Sequence, residues 1–280
     1  MTSDFKMPLV SILVPLYNAQ EFITHTLNSI FSQDYIHLEV IIVDDCSTDA
    51  SFQIVSDYLA ARNERRIKLF RNEKNLGPEG NWNKALSLAN GKYIKLVCSD
   101  DTLEPGALTK QVKVFENPEN SGVALVTGSR VIINSKGERL GQRGNFKNGR
   151  LSSILAMKQV IRAGTNPLGE PAAGLFKKTD AHKIGGYRMY SPYAIDVDFW
   201  MRLLQLGDLW FISEPISTFR ISKKSCSSII GLRQSKDFRT FIYRSEAENP
   251  VVISRFDSLI GSLKSMPLGI LRVAYFKIFA

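Results

Sequence analysis

Histidine and cysteine are scarce in this 280-residue chain, with three of each. His25, His37 and His182 have no cysteine or second histidine at ligand spacing, which excludes a zinc finger or zinc ribbon. Cys46, Cys98 and Cys226 are odd in number and far apart, so no disulfide framework is expected and a reducing, cytoplasmic setting fits. No uninterrupted apolar run reaches the roughly 18 residues of a spanning helix. The start, Met1 to Pro8, carries Asp4 and Lys6 where a signal peptide would have an apolar core. A glycine-rich phosphate cradle is missing too: Pro15 to Ala19 and Asn75 to Gly80 match neither the P-loop nor the dinucleotide fingerprint. A hydrolase nucleophile elbow is likewise absent. Phosphate, if bound, must be held by metal and side chains.

What is present is an ordinary folded composition, 44% hydrophobic and 22% charged, with no Pro/Gly/Ser linker dividing the chain. One large α/β domain with appended helices is expected. The net charge of +9 favours an anionic partner: nucleotide, nucleic acid or lipid headgroup. The basic residues are spread over Arg62 to Lys74, Lys136 to Arg150 and Lys223 to Arg244, without aromatic interleaving or a helix-turn-helix cue. Nucleic acid is therefore the weaker choice.

Strand and helix patterns alternate over the first hundred residues. Leu9 to Val14, Val40 to Val43, Ile67 to Phe70 and Tyr93 to Cys98 read as strands. Helical spacing follows in Ala19 to Ser32, from Ser47–Asp49 to about Ala61, and in Trp82 to Leu88. This order implies a mostly parallel sheet with helices on both faces, its strand exits sharing one edge. Val123 to Asn134 reads as further strand and Ser135 to Arg150 as a mobile basic loop. Leu151 onward is helical, and Ala163 to Gly174 is a loop over the active face. Leu175 to Lys177, Leu209 to Ile212 and Ile216 to Arg220 are short strands.

Two strand exits carry paired acids, Asp44 with Asp45 and Asp100 with Asp101. Open α/β sheets bind ligands at that edge. Asp44 and Asp45 serve equally as helix caps or, at a strand exit, as acceptors for the imide proton of a pyrimidine base. Asp100 and Asp101 point to a divalent cation, magnesium or manganese, because two adjacent acids are costly unless a hard ion shares their oxygens with phosphate. Asp196, opening a helix, either complements the helix dipole or acts as a general base. Trp200 and Phe199 lie in an amphipathic stretch typical of core.

Taken together, Val10 to Asn18, Val40 to Asp45, Ser47, Asp49, Gly91, Tyr93, Ile94, Asp100 and Asp101 resemble inverting family 2 glycosyltransferases of the GT-A fold. The resemblance covers Val10 to Arg220. It implies a nucleoside diphosphate sugar donor and a glycan or lipid-linked glycan acceptor, in cell-surface polysaccharide or lipopolysaccharide assembly. Pro15, Tyr17 and Asp45 would contact the base, Asp100 the ribose or diphosphate, and Asn83 the sugar nucleotide, while Asp101 would hold the metal. Glu170 and Trp200 would lie on the acceptor side, and Asp196 would be the catalytic base. Residues 1–225 would form the catalytic domain, with 9–100 as nucleotide-sugar half and 101–225 as acceptor half. Residues 226–280 would form a helical tail, either lying on the inner face of the cell membrane or packed on protein.

The chain departs from the family pattern twice. Ile195 stands where the first acid of a two-acid motif belongs, and Ile221 to Lys224 lack the histidine that often serves the metal or diphosphate. Lys223 and Lys224 would then neutralise the diphosphate. These departures keep open a catalytically silent sugar-nucleotide binding or scaffolding protein. A nucleotidyltransferase is weaker, since it would need a glycine-rich basic loop near the first strand.

Overall fold

The computed structural model describes residues 7–62, 64–191, 193–222 and 230–279. In its first half β1 (Val10–Leu16), β2 (Leu38–Asp44), β3 (Ile67–Arg71) and β4 (Tyr93–Leu96) run parallel in the order β3-β2-β1-β4. They are joined by α1 (Ile23–Phe31), α2 (Ser51–Arg62) and α3 (Gly77–Leu88). β1 and β2 are buried along their whole length, as near-continuous apolar strands covered on both faces must be. Pro15 is tolerated inside β1 for a local reason. The ladder to β4 ends with Val97 N–H donating to Leu13 O, while Leu16 O accepts from Asp45 N–H on the β2 side. Residue 15 therefore faces β4 where no ladder bond is left to lose.

The second half contains α4 (Ala107–Glu116), β5 (Val123–Ile133), β6 (Arg139–Arg143), β7 (Gly149–Leu151) and α5 (Ser153–Ala163). β8 (Leu175–Lys177), α6 (Lys178–Lys183), α7 (Ile195–Leu203) and β9 (Asp208–Arg220) follow. The sheet continues β4-β8-β5-β9-β7, with β6 on β5, giving nine strands among the described residues. β8 is antiparallel to both β4 and β5, so those two point the same way, and β9 is parallel to β5. The carboxyl ends of β1, β2, β4, β5 and β9 thus open on one edge. Parallel pairing dominates the first half only; the second is mixed.

Two expectations are corrected. The basic segment Ser135 to Arg150 is not a plain loop, because β6 hairpins onto β5 and β7 adds to β9. The two short strands at 209–212 and 216–220 are one, β9, in which Ser213, Glu214 and Pro215 lie at a bulge against Gly128 and Ser129. A bulge accommodates the proline without interrupting the strand.

Two long helices, α8 (Arg233–Glu248) and α9 (Arg255–Phe279), close the described chain. α9 docks on α5 and α8 through small residues: a Cβ on Gly261 would stand 2.0 Å from Ile161 O, and one on Gly269 1.9 Å from Ser235 Oγ. Asp257 pairs with Arg162, and Phe276 packs with Ile132 and Ile221. The opposite side of α9 leaves Phe256, Leu259, Leu263, Met266 and Ile270 exposed. Among the described residues no helix is long and apolar enough to cross a membrane.

Lys95 of β4 is fully buried, its Nζ donating to Gln111 Oε1 at 2.7 Å and Gly174 O at 3.3 Å. Burial pushes its pKa down to about 7. Between pH 7 and the ordinary lysine range the unfolded chain therefore holds a proton the folded one lacks. Stability should rise with pH across that window, by roughly 1.4 kcal/mol per unit from this group. Denaturant titrations at pH 7 to 10 should show the rise in the wild type, and Lys95→Met should remove that increment; an unchanged slope in the variant would refute the assignment.

Candidate functional site

The chain leaving β1 and the chain leaving β2 are laced together. Asn18 N–H donates to Ser47 Oγ at 3.0 Å, and Asn18 Oδ1 accepts from Thr48 N–H at 2.9 Å. Asn18 and Cys46 both adopt positive φ, 48° and 61°. Such conformations persist where surrounding bonds over-determine them, and they cluster at ligand sites. Tyr17 is half exposed on this rim, whereas Pro15 is buried beneath it. The adjacent acids differ in setting. Asp44 is wholly buried, ion-paired with Arg71 at 3.1 Å and accepting from Ser47 N–H. Asp45 accepts through Oδ1 from Asn72 Nδ2 at 2.7 Å and from Leu76 N–H at 2.8 Å. Asn72 follows β3, so three strand exits share this pocket wall.

After β4 the chain turns through Asp100 and Asp101. Burial raises both carboxyl pKa values, and for Asp101 the Asp100 charge raises it further. Arg220, the last residue of β9, holds this turn. Its N–H donates to Asp101 Oδ1 at 2.9 Å, its Nε to Asp100 O at 2.8 Å, and its Nη1 to Asn134 O and Ser135 O. The guanidinium lies over the Phe22 ring, 4.7 Å from its centroid. Because it bonds backbone oxygens, neither acid is in an ion pair among the described residues. Two hard carboxylates that repel each other and pair with no side-chain cation among the described residues suit a magnesium- or manganese-like ion, which needs only one or two protein carboxylates beside phosphate oxygens. No group of three or more metal-ligating side chains occurs among the described residues.

Asp196 begins α7. Its Oδ2 accepts from Asn166 Nδ2 at 2.8 Å and its Oδ1 from Val197 N–H at 2.7 Å. Burial lifts its pKa to about 7, and the nearby negative charge of Glu170 adds to the lift, against the hydrogen bonds. Glu170 also acts on Asp101, so its charge is felt by both the acid pair and Asp196. It is ion-paired to the buried Arg130 of β5. A carboxyl poised near neutrality has the acidity expected of a general base, and the arrangement places such a group beside a strand edge able to hold nucleotide.

Asn83 and Trp200 are not where the resemblance would put them. Both ends of the Asn83 amide are bonded to the Tyr187 backbone, at 2.7 and 2.8 Å, so it clamps α3 to that loop instead of facing a sugar nucleotide. Trp200 is fully buried; its Nε1 donates to Gly169 O at 3.2 Å, supporting the Glu170 loop from below instead of touching an acceptor. Ile195 is core. Lys223 and Lys224 lie outside the described residues. Sequence reasoning passed over Arg220, Arg130 and Asn166. For Arg220 a signal existed: a cation at the exit of a strand running beside the acid-bearing edge.

The glycosyl transferase family 2 model matches residues 11–195. An uncharacterised protein of Mycobacterium tuberculosis is 32% identical over 222 residues, covering 76% of this chain and 67% of its own. Staphylococcus aureus TarS, a poly(ribitol-phosphate) beta-N-acetylglucosaminyltransferase, is 40% identical over 119 residues, 41% of this chain but only 20% of TarS. The structure of a TarS fragment in complex with UDP-GlcNAc has a TM-score of 0.69 at 19% identity, covering 96% of this chain and 72% of that one. The mannosyltransferase PcManGT from Pyrobaculum calidifontis, in complex with GDP-Man and Mn2+, has a TM-score of 0.68 at 17% identity, covering 97% and 74%. At these identities the structures establish the shared fold.

The carboxyl carbon of Asp196 should titrate near pH 7 by NMR. Glu170→Gln removes a negative neighbour and should move that midpoint down, whereas Asn166→Leu removes a donor to the carboxylate and should move it up. A midpoint in the ordinary aspartate range, or shifts of the opposite sign, would contradict this account.

Proposed function

Because the chain belongs to glycosyl transferase family 2, we propose that it moves a sugar from a nucleoside diphosphate sugar to an acceptor hydroxyl, inverting the anomeric carbon. The observation that carries this reading is the buried Asp196 carboxyl, hydrogen-bonded by Asn166 and the Val197 N–H and raised towards neutrality by burial, with Glu170 acting on both it and Asp101. Asp45 and Tyr17 receive the base and Asp100 the ribose or diphosphate. A divalent cation on Asp101 would neutralise charge on the departing diphosphate. Asp196 takes the proton as the acceptor oxygen attacks the face opposite the phosphate; the new C–O bond forms as the old C–O bond breaks, releasing nucleoside diphosphate. Arg220 keeps the turn in place, just ahead of the Ile221 to Lys224 stretch that lacks the family's frequent histidine. The names of relatives such as TarS support an acceptor in envelope polysaccharide assembly, at the cytoplasmic face.

The exposed side of α9 supports a further part of this reading, contact with an anionic bilayer. The ridge Phe256, Leu259, Leu263, Met266 and Ile270 recurs at helical spacing. It borders a groove of about 400 Å³ lined also by Lys236 and Arg239 of α8, two cations in no ion pair among the described residues. Apolar anchors beside unpaired cations complement anionic headgroups. Vesicles containing phosphatidylglycerol should pellet the protein, while Leu259→Glu/Leu263→Glu should stay in the supernatant; equal pelleting would defeat the membrane contact.

Thermal-shift measurements with UDP- and GDP-sugars should reveal a manganese-dependent stabilisation that Asp101→Asn abolishes. Asp196→Asn should retain that shift yet lower transfer by about 10²–10⁴-fold, the usual contribution of a placed base. Unaltered turnover in Asp196→Asn would remove it from the mechanism, and no shift with any donor would favour the silent binding or scaffolding alternative.

A further inference from the structure

Beside Asp196 the fold gathers more positive charge than its own acids answer. Arg130 of β5 and Arg143 of β6 are direct cross-strand partners. Like charges so placed repel. Arg272 of α9 enters the same space from the opposite side. It donates to Gln234 Oε1 at 3.0 Å and to Thr165 Oγ1, with its guanidinium 5.2 Å from the Tyr193 ring centroid. Burial and the charges of Arg143 and Arg130 together lower the Arg272 pKa to about 10, against the opposing charge of Glu170. Four groups therefore share one region, three cations and one carboxylate.

Arg130 shows that the balance is incomplete. Its side chain is 3% exposed and its Nε contacts Glu170 Oε2, yet Nη1 has no hydrogen-bond partner among the described residues, and Nη2 reaches Asn166 O only at 3.5 Å. Buried guanidinium N–H groups are strong donors whose unmet bonds are costly. A tetrahedral oxyanion supplies what is missing, because its several oxygens can take forked bonds from more than one arginine.

We infer that Arg130, Arg143 and Arg272 form an anion subsite for a phosphate group carried by the acceptor. The assignment to the acceptor rests on the reading of Asp196 as base: Asn166 touches Arg130 through its carbonyl and Asp196 through its amide. On that reading the donor's phosphates belong at the Asp100–Asp101 turn. Phosphate seated here would fix the acceptor so that a hydroxyl of the same molecule meets Asp196.

The test is calorimetric titration of the full chain with inorganic phosphate, alone and with saturating nucleoside diphosphate and manganese. Saturable binding is expected in both cases. Arg143→Gln, an exposed position whose loss leaves the core untouched, and Arg272→Gln should each weaken it about tenfold, as removal of a charge-assisted contact does. Asp101→Asn should leave phosphate binding intact while losing the metal-dependent nucleotide shift, so failure of this inference and failure of the transferase reading are separable. Absence of saturable phosphate binding, competition by the nucleotide, or unaltered affinity in both arginine variants would each overturn the subsite.

Discussion

The edge where the strands end depends on the grip of Arg220 on the Asp100–Asp101 turn. Two adjacent carboxylates in a buried turn repel each other and lose hydration, so left alone they would open it. Arg220 prevents that without neutralising them: its backbone N–H caps one Asp101 oxygen, while its guanidinium bonds the carbonyls of Asp100, Asn134 and Ser135. The exits of β4, β5 and β9 are thereby joined at one side chain. The acids stay available because the arginine is occupied with backbone.

The same tactic recurs around the crevice. Asn72 and the Leu76 amide hold Asp45, Asn166 and the Val197 amide hold Asp196, and Asn83 holds the Tyr187 backbone. Neutral amides orient these carboxylates, and burial raises the pKa of Asp196. Asp44, wholly enclosed, and Glu170 are instead matched with arginines.

The nucleotide half was legible because local signals agreed: uninterrupted apolar strands, helical periodicity and acids at strand exits all point to one parallel layout. Asp100, Asp101 and Asp196 stand out in the sequence as acids at element boundaries, although capping a helix or complementing its dipole asks for acids at the same places. The second half was harder. β6 and β7 are three to five residues of polar, glycine-bearing chain whose strand character comes wholly from partners distant in sequence. β9 carries a proline that reads as a break until its bulge is seen. Trp200 and Asn83 were misplaced for a related reason: spacing names a helix face, but only tertiary packing says what that face meets.

The close seating of α9 has a consequence for the order of events in the molecule's life. Gly261 and Gly269 let this helix approach α5 and α8 so closely that any side chain there would intrude on a neighbour, and Arg272 rides on it. Asp45 and Asp101 emerge from the ribosome long before Arg272 does. A growing chain can thus assemble its nucleotide wall while the opposite wall is still unmade. If the proposed roles hold, donor recognition and acceptor recognition become separate milestones of folding, and only the second reports that the chain has docked its last described helix.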